Sequence, residues 1–193
     1  MFNSIMFVLT VVFWVLFLGR TLMLMRQGVR VFVLAKGKRF FEKLLEILIV
    51  PLLVLWTVQI ILTTLDIELF ALPRLWVSAI VQWIGISLCL AGLLIFLFAL
   101  ISFGNAWRVG IDDEKSDKLV TTGIFAHSRN PIFLFMNMYF AGVFLSYPNI
   151  LFLAFFICFA VGIHMQILNE ERFLRSKFGS EYEVYLKKVR RYI

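Results

Sequence analysis

The sequence predicts an all-α, polytopic integral membrane protein with about five transmembrane helices. The last two form a C-terminal helical hairpin, followed by a cytoplasmic amphipathic tail. Three observations lead there. Apolar residues fill 62% of the 193 positions and charged residues only 16%, too little polar surface for a soluble domain of this size. The apolar residues gather in five runs suited to lipid. If all five cross, 18 of the 19 Lys and Arg residues fall on one side.

The first run, from about Asn3 to Gly19, is short, with aromatic residues to anchor its ends. It lacks a basic leading segment and a small-x-small cleavage site, so it reads as a retained helix rather than a cleaved signal peptide. The second, about Leu48 to Leu65, places Pro51 near its start, where a missing amide hydrogen does least harm. The third, about Val77 to Phe103, is long enough to tilt or to extend beyond the hydrocarbon. Gly85 and Gly92 within it are candidates for close helix contacts. The fourth and fifth, about Pro131 to Leu145 and Asn149 to Gln166, are joined by the short connection SYPN. A connection that brief, in lipid, requires two antiparallel helices.

Charge sets the orientation. Arg74 is the single basic residue between the second and third runs, beside Asp66 and Glu68. The remaining basic residues lie in 20–45, in 104–130 and after Leu168. The positive-inside rule makes that side cytoplasmic and puts the N-terminus outside. A six-helix reading splits the basic segments between both faces. The formal charge of +7 is interrupted by apolar runs rather than spread over one face, which points away from nucleic acid and towards membrane lipids with anionic headgroups. Cys89 and Cys158 lie inside apolar runs and read as small hydrophobes. No linker or repeat divides the chain, so residues 1–193 form a single membrane domain. Oligomeric state is not legible.

Few polar residues are held near helix ends. Glu170 and Glu171 follow the fifth run, and Arg129 and Asn130 precede the fourth. Because those two runs are adjacent, two carboxylates approach an arginine and an amide beside a turn at Gly123. Two readings fit: a structural ion pair closing the bundle, or a polar ligand site where membrane meets cytoplasm. Neither His127 nor His164 has partners at metal-ligand spacing, so no metal is expected. His164 and Gln166 are polar groups near the inner end of an apolar helix, suited either to bundle contacts or to lining a substrate passage. There is no GxGxxG loop after a strand, which excludes a soluble-type dinucleotide fold.

The run LVTTGIFAHSRNPIF, residues 119–133, resembles the signature of the membrane methyltransferases that include isoprenylcysteine carboxyl methyltransferases and phospholipid N-methyltransferases. One helical hairpin later, EERFLRSKFGSEYEVYLKKVRRYI matches that family's Glu-Glu pair, its Phe-Gly and Glu-Tyr steps and its closing basic stretch. The resemblance covers residues 104–193, which it marks as a methyltransferase-like cofactor-binding core. It implies S-adenosylmethionine (SAM) as cofactor and a lipophilic small molecule, entering from the bilayer, as methyl acceptor.

The resemblance also implies roles. Leu119 and Val120 present backbone to the adenosine part of SAM, Gly123 allows a tight turn, and Phe125 stands at the aromatic position suited to stacking on adenine. Asn130, Pro131 and Phe133 occupy the family's His, Pro and Tyr positions. Glu170 binds a polar or positive group of the cofactor, and Glu171 shapes the pocket. Arg108, within GNAWRVG, is a candidate for the opposite wall with Asn105 and Trp107, its plain alternative being a headgroup contact. Arg108, Asn130 and Glu171 are thus the catalytic candidates. Gln166 replaces an arginine that carboxyl-methylating relatives carry one turn before Glu170. The motif match, with EKSD ahead of LVTTG, points first to the carboxylate of an isoprenylcysteine-like acceptor. A phospholipid amine is the alternative and suits Gln166 better, since arginine is the natural partner of a carboxylate. A membrane reductase using NADPH and a non-catalytic helical bundle are the remaining readings.

Overall fold

The computed structural model describes residues 1–29, 31, 40–67, 72–104 and 119–193. Among the described residues six α-helices follow one another: α1 (Phe2–Arg26), α2 (Phe40–Thr64), α3 (Ala79–Phe103), α4 (Pro131–Ser146), α5 (Ile150–Phe178) and α6 (Ser180–Lys188). A 3-10 turn, Gly123–Ala126, precedes α4. Among the described residues no strand occurs. Three helices among the described residues, α1, α3 and α5, are long and apolar enough to cross a membrane. The apolar stretches Val50–Thr64 and Pro131–Ser146 are shorter. The 16 residues of α4 rise about 24 Å, less than the roughly 30 Å of a hydrocarbon core. Five crossings therefore require α4 to span by packing against longer neighbours.

Local sequence explains where the helices start. Ser78 caps α3 by accepting from the Val81 amide at 3.4 Å, and Asn149 caps α5 by accepting from Phe152 at 2.9 Å. Pro131 opens α4, where its missing donor is harmless. Two boundaries differ from expectation. Helix α2 begins at Phe40, so Pro51 lies inside it and removes an internal backbone bond rather than a terminal one. Helix α5 does not stop near Gln166. The stretch ILNEERFLRSKF contains no Gly or Pro, and the helix runs until Gly179, whose φ of +49° is readily reached without a side chain. Glu170 and Glu171 therefore sit on the helix, not beyond it.

Packing is tightest between α3 and α4. A Cβ built on Gly85 would lie 2.5 Å from the Gly142 carbonyl oxygen, and one on Gly142 would lie 2.5 Å from the Gly85 carbonyl oxygen. Gly92 faces Phe135 in the same interface. The two backbones thus meet where neither residue carries a side chain. Aromatic rings fill the rest of the core: Phe13 of α1, Phe96 of α3 and Phe135 and Tyr139 of α4 form one group. Trp56 of α2, Phe140 of α4 and Phe159 of α5 form another, with the Phe140 and Phe159 rings stacked at 4.0 Å. Hydroxyls in these apolar helices donate back to their own backbone, as Thr10 does to Met6 and Thr57 to Leu53, both at 2.8 Å.

The bundle has two different ends. At one, Asn3 donates to Asp66 at 2.8 Å and accepts from Tyr147 at 3.1 Å, while the Leu75 amide donates to the Pro148 carbonyl at 2.6 Å. At the other, Arg20 donates to the Gly104 carbonyl, Ile124 to Ser102, and Arg129 and Arg191 meet Glu171. The candidate site belongs to this second, basic end.

Candidate functional site

The loop 119–130 is tied to α3 at Ser102 and Phe103. The Ile124 amide donates to Ser102 Oγ at 3.2 Å, immediately after Gly123, which has φ +62°. A Cβ at Gly123 would overlap Ser102 Oγ and stand 3.0 Å from Ser102 Cβ. Glycine is therefore required twice, by conformation and by space. Phe125 is buried, its ring edge-on to Phe103 with centroids 4.6 Å apart. Its carbonyl accepts from the Tyr185 hydroxyl at 2.6 Å. The ring assigned to adenine stacking is thus also a packing residue of the loop.

The loop then enters α4 through Ser128, Arg129 and Asn130. Asn130 is buried; its amide nitrogen Nδ2 donates to the Arg191 carbonyl at 3.1 Å, and its backbone N–H donates to Ser128 Oγ at 3.2 Å. The Arg129 backbone N–H donates to the Arg190 carbonyl at 3.0 Å. Pro131 is buried, and Phe133 is half-buried against the main core.

Glu171 lies against this junction and is 8% exposed. Its Oε1 accepts from Arg191 Nε at 3.0 Å and its Oε2 from Arg191 Nη2 at 2.8 Å, a two-point fork. Arg129 Nη1 stands 3.3 Å from Oε1 as an ion pair without hydrogen-bond geometry. Both Glu171 oxygens are therefore engaged by arginine, and the carboxylate hydrogen-bonded to Arg191 holds that guanidinium above its ordinary pKa. Two cations facing one carboxylate leave this cluster with one net positive charge. Glu170 is half-buried on the next position of α5, turned about 100° around the helix.

Helix α6 packs over this junction at the basic end of the bundle. Tyr182, Tyr185 and Val189, spaced as one helical face, pack with Leu119, Leu174 and Phe178. Burial, assisted for Tyr182 by the nearby Glu171 charge, pushes both phenols up to about 12. They remain neutral hydrogen-bond donors at ordinary pH. Val120 is half-buried beside Leu119.

The structure thus brings Gly123, Phe125, Asn130, Pro131 and Glu171 to one end of the bundle, joined through contacts with Ser102 and segment 182–191. Arg108, Asn105 and Trp107 lie outside the described residues. His164 is exposed on α5 and Gln166 half-buried. Among the described residues no His, Cys, Asp and Glu group has the makings of a metal site. Sequence reasoning missed Ser102, Tyr185 and Arg191. Tyr182 and Tyr185 carried a detectable signal, the helical spacing of a buried face. Arg191 carried none, being one of several basic residues in the tail.

The fold is a helical membrane bundle with a polar junction of Arg129, Arg191 and Glu171 at its basic end. The family model for phospholipid methyltransferases matches residues 80–181, more than half of the chain, taking in α3 from its second residue and the whole of α4 and α5. The chain belongs to the phospholipid methyltransferase family. No curated protein and no solved structure matches it.

Proposed function

We propose that the protein transfers a methyl group from SAM to the amine of a membrane phospholipid headgroup. The observation that carries this reading is the family match over residues 80–181. It favours the amine over the isoprenylcysteine carboxylate that the short motifs suggest first. Residue chemistry agrees. A carboxylate acceptor needs a cation to bind it, yet Gln166 supplies an amide at the relevant turn, and Arg129 is already paired with Glu171.

The donor set fits SAM. Glu170 offers a half-buried carboxylate for an ammonium group or ribose hydroxyls, and the non-helical segment 119–122 offers backbone groups ahead of the Gly123 turn. When bound, SAM supplies an electrophilic methyl group on a sulfonium. The chain's own work is then alignment and exclusion of water. Asn130 and Glu171 hold the junction in place, Phe125 and Phe103 wall it with apolar surface, and Glu170 favours the approach of a positive group. An acceptor amine must give up its proton before it can attack. Arg108, outside the described residues, remains a candidate for the opposite wall.

The test offers phosphatidylethanolamine and N-acetyl-farnesylcysteine together in mixed micelles with methyl-labelled SAM. Label is expected in base-stable N-methyl lipid. Label only in a base-labile methyl ester would overturn the acceptor assignment and leave the cofactor reading standing. In parallel, Glu170→Ala is expected to weaken S-adenosylhomocysteine binding at least tenfold more than Glu183→Ala, on the scale of a lost charged contact. Glu183 is a suitable control because its ion pair with Arg175 is half-exposed on both sides. Equal effects would mean that the carboxylate is misplaced.

A further inference from the structure

Segment 182–191 contacts the signature loop at several points in sequence. Tyr185 Oη donates to the Phe125 carbonyl at 2.6 Å. The Arg190 carbonyl accepts from the Arg129 N–H at 3.0 Å. The Arg191 carbonyl accepts from Asn130 Nδ2 at 3.1 Å and from Ser128 Oγ at 3.5 Å. The side chain of Arg191 then reaches the other way and grips Glu171 on α5 through both carboxylate oxygens. A single residue therefore ties the start of α4, by its backbone, to α5, by its guanidinium.

We propose that Arg191 is a positioning residue of the SAM site, setting the loop that carries Asn130 against the helix that carries Glu170 and Glu171. The inference rests on the cofactor reading above. Loop and helix arrive from separate parts of the chain, and the Arg129–Glu171 ion pair between them is the looser link, at 3.3 Å without hydrogen-bond geometry. The Arg191 fork fixes direction as well as distance, because a planar guanidinium meets a carboxylate at two points. Its setting also differs from a surface pair. The Glu171 and Arg191 side chains are 10% and 35% exposed, whereas Arg175 and Glu183 are 56% and 51% exposed. Binding groups gathered from separate elements need such support, since small misplacements are costly. Lysine at 191 would supply the charge without the fork.

The test is isothermal titration of S-adenosylhomocysteine into the full chain in detergent micelles, for wild type, R191A, R191K, E171Q and the R191A/E171Q double variant. Thermal midpoints are recorded alongside. R191A is expected to raise Kd roughly tenfold, the scale of a modest misplacement of binding groups. R191K is expected to remain clearly weaker than wild type. The double variant is expected to match E171Q within about twofold, because both substitutions break one contact. A residue that only stabilised the bundle would lower the midpoint without this non-additivity in Kd. A wild-type Kd for R191A, or a double variant showing the product of the two single losses, would overturn the proposal. If R191A fails to fold, R191K decides, and a wild-type Kd for it is fatal. Wild-type protein that binds no S-adenosylhomocysteine would remove the cofactor reading and this inference with it. Normal wild-type binding beside unaffected Arg191 variants would remove this inference alone.

Discussion

Replacing Gly123 by alanine tests the local geometry of the loop most directly. At φ +62° a Cβ costs about 1–2 kcal/mol from backbone conformation alone. The same Cβ would overlap Ser102 Oγ, and relieving that overlap by shifting a packed neighbour adds about 1–3 kcal/mol. A total near 3 kcal/mol is therefore expected for Gly123→Ala. Ser102→Ala by itself should cost only about 1 kcal/mol, the value of the lost bond from the Ile124 amide. In the double variant the overlapping oxygen is gone, so the steric part largely disappears while the backbone strain and lost bond remain. The two losses should then fall short of their sum by at least about 1 kcal/mol. Unfolding by SDS titration in mixed micelles, followed by tryptophan fluorescence, measures all four corners of the cycle. Losses that add within about 0.5 kcal/mol, or a neutral Gly123→Ala, would refute the contact between loop and α3.

Two further expectations concern pH and topology. Tyr182 and Tyr185 have folded pKa values raised to about 12 from 10, so their contribution to stability is whole below pH 10 and is lost as pH rises towards 12. Thermal midpoints should fall through that window, and Tyr185→Phe should flatten the fall; an unchanged slope in that variant would exclude Tyr185 as a contributor. Asn3→Cys, in a chain whose exposed Cys158 is replaced, should react with a membrane-impermeant maleimide from outside oriented cells, as the charge asymmetry requires. Labelling only after permeabilisation would invert the topology.

The apolar runs and the N-terminal signals of the later helices are legible in the sequence because they are local. Asn149 before an apolar run and Pro131 at a helix start act over one turn, and the structure uses both. Gly85 and Gly92 are visible as small residues in α3, but the partner that gives Gly85 its meaning is Gly142, 57 positions away by residue number. The end of α5 departs from the sequence expectation because apolarity ends before helical propensity does. The segment 167–178 leaves the apolar run yet keeps good helix formers and no breaker before Gly179. Arg191 is the extreme case. Its partners Asn130 and Glu171 lie 61 and 20 residues away, and no spacing rule along the chain connects them.

The extension of α5 changes how the Glu-Glu pair is understood. Read beyond a helix, two neighbouring carboxylates act together and attract a cation jointly. On a helix, successive side chains diverge by about 100°, and their surroundings separate. Glu171 turns to the arginines and is saturated by them, with Arg191 in a fork and Arg129 at 3.3 Å. A carboxylate so engaged would have to break charge-assisted bonds, worth about 1.5–3 kcal/mol each, before it could serve as a base or bind an ammonium headgroup. The engagement of Glu171 supports a division in which attraction of positive groups is proposed for Glu170 and architecture for Glu171. It also explains why removing the second carboxylate should act through the position of the loop rather than through lost charge at the acceptor.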